Sequence, residues 1–172
     1  MVYLRELEEE DIKTINNWRN NKEIIDFLGA NFKFINTQTD QNWFNNYQKK
    51  RGKEVRCAIC LKESDVIIGL ISLISIDSVN RNAELHIMIG NKNYHNMGIG
   101  KKVLSIMLNH AFNNLNLYNV YLKVLETNIR AIHVYEKIGF VKEGILRERV
   151  FKNGKYINLI IMSIFDKEFN YI

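Results

Sequence analysis

Proline is absent from all 172 residues, and cysteine occurs only twice. With no proline, no repeat and no low-complexity linker, nothing marks an internal boundary, so residues 1–172 read as one domain. That length is enough to bury a real core. Long apolar runs are missing too, since none approaches the ~20 residues that a membrane span needs. The opening MVYLRELEEED reads as a strand that turns acidic rather than as a secretory leader. A soluble, cytoplasmic protein with no membrane partner is the expectation. Histidine is scarce, four in all, and no two stand at ligand spacing, so no metal is expected.

The cysteines, Cys57 and Cys60, form C-A-I-C within EVRCAICLK. That stretch has a strand pattern, in which an offset of three sends two side chains to opposite faces. A redox pair normally opens a helix, and a zinc site needs two further ligands. Both thiols are expected to be packing residues. Lysine and arginine exceed the acids by 24 to 19, a net charge of +5. The positive residues are scattered rather than gathered into a stripe, which argues against a nucleic-acid partner. A modest positive field also suits an anionic cofactor.

Hydrophobic spacing predicts a strand over 2–7 and a helix over 8–20, where Ile12, Ile15 and Trp18 recur at helical intervals. A short helix over 21–28 should end at Gly29. A third over 37–50 presents Trp43, Phe44 and Tyr47 on one face, with Thr37 and Asp40 as a candidate capping box. Strands are expected over 54–62, 66–76 and 82–90. A helix over 98–115 carries the stripe Leu104, Met107, Leu108, Ala111, Phe112 and Leu115. A strand over 119–125 and a helix over 128–138, closed by Gly139, follow. The chain then runs through a hairpin of 141–151 and 155–164, turned at Asn153-Gly154. This order implies a mixed α/β fold: a largely antiparallel sheet with helices on both faces and one central strand–helix–strand crossover.

That crossover holds the residues with chemistry. Its turn reads HNMGIG, His95 to Gly100. Gly98 and Gly100 can expose backbone N–H groups, and the helix behind adds its positive N-terminal end, an arrangement that binds pyrophosphate. Lys101 and Lys102 can add charge. The plainer alternative is a tight strand-to-helix turn. No GK[ST] follows, so it is not a Walker loop.

His95-Asn96-Met97-Gly98-Ile99-Gly100 is similar to the acetyl-coenzyme A motif [Gln/Arg]-x-x-Gly-x-[Gly/Ala] of the GCN5-related N-acetyltransferase (GNAT) superfamily. ETNIRAIHVYEKIGF, residues 126–140, resembles that family's later helix, and the resemblance covers nearly the whole chain. The ending GILRERVFKNGKYINLIIMSI and the early WRN resemble the branch of ribosomal-protein alanine, polyamine and amino-sugar acetyltransferases. The resemblance implies a sheet of about seven strands, acetyl-coenzyme A as donor and no metal. It implies direct transfer in a ternary complex to a primary amine, on a peptide or a small molecule, and a possible homodimer. The rival reading is a non-catalytic acyl-coenzyme A sensor.

Residue by residue, the resemblance implies that Tyr135 protonates the departing thiolate and that the 95–101 loop binds the diphosphate. Asn128 would bind the pantetheine or phosphate arm, or simply cap its helix. Backbone groups of Ile87, Met88 and Ile89 would bind the pantetheine arm and polarise the thioester carbonyl. Glu84 and His86, two apart on one strand and so on one face, are candidates to accept the amine proton. One departure stands out: His95 occupies the family's Gln or Arg position, so weakened or pH-sensitive cofactor affinity is expected.

Overall fold

Seven strands form one sheet in the order β1-β2-β3-β4-β5-β7-β6 in the computed structural model, which describes residues 1–170. The strands are β1 (Val2–Glu6), β2 (Val55–Leu61), β3 (Ile67–Asp77), β4 (Asn82–Ile89), β5 (Asn119–Leu125), β6 (Val141–Lys152) and β7 (Lys155–Phe165). Every neighbouring pair is antiparallel except β4 and β5. The expected mixed sheet is therefore what forms.

Five α-helices flank it: α1 (Ile12–Arg19), α2 (Lys22–Ile25), α3 (Thr37–Lys49), α4 (Ile99–Asn109) and α5 (Ile129–Ile138). Period-two alternation along the strands gives two main cores, one on each face, beside a small cluster of Leu125, Val150 and Leu159. One face buries Ile59, Ile71, Leu85, Val120 and Leu122 under α4 and α5. The other buries Ala58 and Cys60 under Ile12, Ile15 and Trp18 of α1 and Phe44 and Tyr47 of α3. Cys57 packs toward the first core and Cys60 lies in the second, so the thiols do point to opposite faces.

Several local expectations need correction. Residues 8–20 are not one helix: a 3-10 turn, Glu9–Asp11, precedes α1. Asp11 is drawn aside there by a two-pronged ion pair with Arg5, at 2.8 and 2.9 Å. The helix expected over 21–28 is a single turn, because the chain is captured after Ile25 by contacts described below. No Thr37–Asp40 capping box forms. Asn36 is the N-cap, its side chain accepting the Thr39 N–H at 2.8 Å. Asp40 is instead fully buried and accepts from Asn16 Nδ2 at 2.7 Å and from Arg19. Finally, α4 stops at Asn109 and continues as a π-helical turn, His110–Asn114, with Leu115 N–H reaching His110 O at 3.1 Å. The hairpin turn is as expected, with Asn153 and Gly154 both at positive φ, 49° and 79°. No helix among the described residues is long and apolar enough to cross a membrane.

Candidate active site

The site begins where two strands part. β4 and β5 pair over only three steps, Asn82↔Asn119, Ala83↔Val120 and Glu84↔Tyr121. Beyond them β4 continues along β3 as far as Ile89↔Gly69, and β5 continues along β7 as far as Leu125↔Leu159. The sheet is thus split by a V whose apex is Glu84 and Tyr121. Ile87, Met88 and Ile89 form one lip, held by β3 on its far side. Strand edges of this kind accept an extended, amide-bearing chain by backbone hydrogen bonds.

At the end of that lip lies the glycine turn. Asn96 and Gly98 both take left-handed backbone conformations, φ 63° and 73°, and Gly98 is the N-cap of α4. Alternation of hand along a short loop turns successive N–H groups inward to form an anion-binding concavity. The loop is open to solvent: Asn96, Met97 and Gly98 are exposed, as are Lys101 and Lys102 on the first turn behind them. No carboxylate pairs with either lysine among the described residues. These features fit a diphosphate. His95 departs from a phosphate-binding role: its ring Nε2 lies 2.9 Å from the Ile89 carbonyl. The ring N–H donates there, so the residue ties the turn to the end of β4 and leaves anion binding to backbone groups.

Tyr135 projects from α5 into the first core and is 9% exposed. Its ring meets Phe140 at 5.7 Å. Burial pushes the phenol up to about 12, so it remains protonated throughout the neutral range. Asn128 caps α5, its Oδ1 accepting from the Ala131 N–H at 3.2 Å, while its Nδ2 donates to the Phe27 carbonyl at 3.0 Å. The capping alternative is therefore realised, with a long-range contact added.

At the apex, Glu84 and His86 share a face as expected, with His86 Nε2 3.2 Å from Glu84 Oε1. Lys123 of β5, which sequence reasoning missed, donates to Glu84 Oε2 at 3.0 Å. The His86 hydrogen bond, with Lys123 behind it, holds the Glu84 carboxyl below its usual range. Glu84 is therefore a firm anion and a feeble base. Because Nε2–H of the neutral ring faces that anion, Nδ1 carries the lone pair. Lys123 could have been found only by knowing that β4 and β5 run parallel and in this register.

One segment, α1, α2 and the turn that follows, spans the mouth of the V. Trp18 of α1 packs on Gly90, just past β4, where a Cβ would lie 2.0 Å from the indole. Glu23 of α2 pairs with Lys92. On the other side, Phe27 is held by Asn128 and Gly29 sits over Leu159 of β7. The chemistry available here is capture of a phosphate-bearing chain along one lip, with an imidazole hydrogen-bonded to a carboxylate at the apex and a buried phenol on α5.

Comparison with known proteins agrees with this geometry. The acetyltransferase (GNAT) domain family model matches residues 2–141. Spermidine N(1)-acetyltransferase of Escherichia coli strain K12 is 32% identical over 170 residues, covering 98% of this chain and 88% of that protein. The structure of spermidine N-acetyltransferase from Vibrio cholerae in complex with CoA and spermine superposes with a TM-score of 0.91 at 30% identity, covering 97% and 96% of the two chains. A dodecameric structure of the Vibrio enzyme in an intermediate state superposes at 0.83, with 31% identity over 96% and 94%. A split sheet that ends in a glycine turn, matched along nearly its full length by these enzymes, places the chain in the GNAT family as an N-acetyltransferase that moves acetyl from acetyl-coenzyme A to a primary amine.

Proposed function

We propose that residues 1–172 act as one catalytic unit whose acceptor is a polyamine, acetylated by direct attack within a ternary complex. The observation that carries the mechanism is the V between β4 and β5, with the glycine turn at its end. The polyamine assignment is supported by similarity to the spermidine acetyltransferases across nearly the whole chain.

Acetyl-coenzyme A supplies an acyl group already activated as a thioester. Residues 95–101 hold its diphosphate through backbone N–H groups, with Lys101 adding charge. The free backbone edge of Ile87, Met88 and Ile89 binds the pantetheine arm and donates to the carbonyl oxygen as negative charge builds there. His86 takes the amine proton on Nδ1, directly or through water, while Glu84 fixes the ring and stabilises the imidazolium that forms. Glu84 thus orients the base instead of serving as the base. Asn128, engaged at both ends of its amide, positions α5 and has one carbonyl lone pair left for the arm.

Tyr135 faces the sulfur. Handing its proton to a free thiolate of ordinary pKa, roughly 8.5, would be uphill by about 4–5 kcal/mol. The same burial that raises the phenol also destabilises the thiolate, so the O–H strengthens its hydrogen bond as the C–S bond breaks and passes the proton late. A polyamine nitrogen of pKa ~10.4 costs about 4–5 kcal/mol to deprotonate at pH 7, which is why a base at the apex is needed.

The test is thiol release with spermidine, spermine, an alanine-terminated peptide and an amino sugar, alongside calorimetric titration of acetyl-coenzyme A. Turnover with the polyamines at least tenfold above the other amines is expected. Preference for the peptide or sugar overturns the acceptor assignment. Tight cofactor binding without amine-dependent release identifies a sensor instead.

A further inference from the structure

Lys152, the last residue of β6, is only 6% exposed, yet it pairs with no carboxylate within salt-bridge distance among the described residues. Its Nζ donates to two main-chain carbonyls, Ile25 at 2.9 Å and Ala30 at 2.6 Å. Burying an ammonium is costly unless its donors are satisfied, so this contact is built rather than incidental. Around it, Lys22 Nζ reaches both Asp26 and Asn153, each at 2.5 Å, and Asn153 Nδ2 reaches Asp26 at 3.3 Å. The tip of the β6–β7 hairpin therefore grips the chain just past α2.

That chain is the segment spanning the mouth of the V. Its β4 side is fixed by Trp18 on Gly90 and by Glu23 on Lys92. Its β5 side is held by the Asn153 contacts to Lys22 and Asp26 and through three main-chain carbonyls: Phe27 O accepts from Asn128, and Ile25 O and Ala30 O accept from Lys152. No regular secondary structure lies between Ile25 and Thr37, so the path of residues 26–30 is set by side chains reaching in from β6 and α5. Of the three bonds that main-chain carbonyls of residues 25–30 accept from these side chains, Lys152 makes two.

We propose that Lys152 is a positioning residue for the acceptor. It clamps residues 25–30 across the opening so that this segment forms a fixed wall against which the amine is aligned with the thioester. The clamp touches neither the glycine turn nor Tyr135, so it acts on acceptor binding and not on cofactor binding. The proposal rests on acetyl transfer occurring at the β4–β5 opening, though not on the acceptor being a polyamine.

Lys152→Met keeps the stem and removes every donor. Backbone amide exchange should rise at least fivefold in residues 25–31 while β2 and β3 stay unchanged. With the best amine of the panel, acceptor KM should rise tenfold or more, with acetyl-coenzyme A KM and saturating kcat within about twofold of wild type. Unchanged acceptor KM, unchanged local exchange, or loosening of the whole sheet each overturns the proposal. Should Lys152→Met not fold, Lys152→Gln, which keeps one amide donor group, is read by the same two measurements, with a smaller KM rise expected. A failure of the polyamine reading shows separately, in the wild type, as preference for another amine.

Discussion

Tyr135 is buried enough to stay protonated and is engaged in no hydrogen bond among the described residues. Tyr135→Phe removes only the hydroxyl from a packed ring, so the fold and acetyl-coenzyme A affinity should hold while kcat falls tenfold or more. Equal turnover in a stopped assay at saturating substrates would remove it from the mechanism. Its alkaline position, about 12, also predicts no inflection from this group below about pH 10 in the wild-type rate profile. Glu84 invites a different measurement. Its folded carboxyl is held down first by His86 and then by Lys123. The resulting stability is therefore present above the unfolded carboxyl pKa and is lost as pH falls through the lower, folded one. Glu84→Gln should lower unfolding free energy by about 1 kcal/mol at pH 7, with the difference closing below about pH 4 in urea titrations. His86→Ala should remove part of the same stabilisation, about 0.5 kcal/mol because Lys123 remains, and should reduce kcat/KM. That Glu84 and His86 share a face was legible in the sequence, because strand alternation sets it. Their partner Lys123 was not, since it lies on another strand, and neither was Asn128's partner Phe27, on a distant loop.

At the scale of elements, the turn before α4 tests whether backbone shape or loop volume matters. A Cβ on Gly98 would meet nothing within 4 Å, but the residue sits at φ 73°. Gly98→Ala therefore imposes a conformational penalty of about 1–2 kcal/mol without a clash, and acetyl-coenzyme A affinity should weaken roughly tenfold by calorimetry. Unchanged affinity would show that the left-handed turn does not shape the phosphate site. α1 and α3 are joined by fully buried Asp40, which serves Arg19 and Asn16. Asp40→Ala leaves those donors stranded and should destabilise the fold by about 3–5 kcal/mol in denaturant titration. Sequence periodicity identified every strand and most helices, because burial on one face imposes its own spacing. It misjudged the ends: a helix over 8–20, a helix over 21–28 and a cap at Thr37 all look favourable locally. Arg5, Lys152 and Asn36 decided otherwise through contacts that leave no periodic trace.

Over the whole molecule, apolar side chains remain outside the two cores. Phe34 is 92% exposed, and Phe151 and Tyr156 form a ring pair at 5.0 Å on the hairpin. This exposed aromatic pair predicts self-association of the chain through the hairpin face. Light scattering should give a mass above 20.3 kDa, with Phe151→Ser shifting it downward. A monomer at micromolar concentration would exclude the idea.

By itself the sequence determined the order of elements, the Asn153-Gly154 turn, the glycine loop of residues 95–100 and the helix that carries Tyr135. Each of these is written locally, in side-chain period, backbone permissiveness or motif spacing. Only the tertiary structure decided that β4 and β5 part after three pairs and that Glu84 is held by Lys123. It also decided that Lys152 donates to the carbonyls of Ile25 and Ala30. Those outcomes depend on groups up to 127 positions apart, brought together by the burial of two separate cores and by no pattern along the chain.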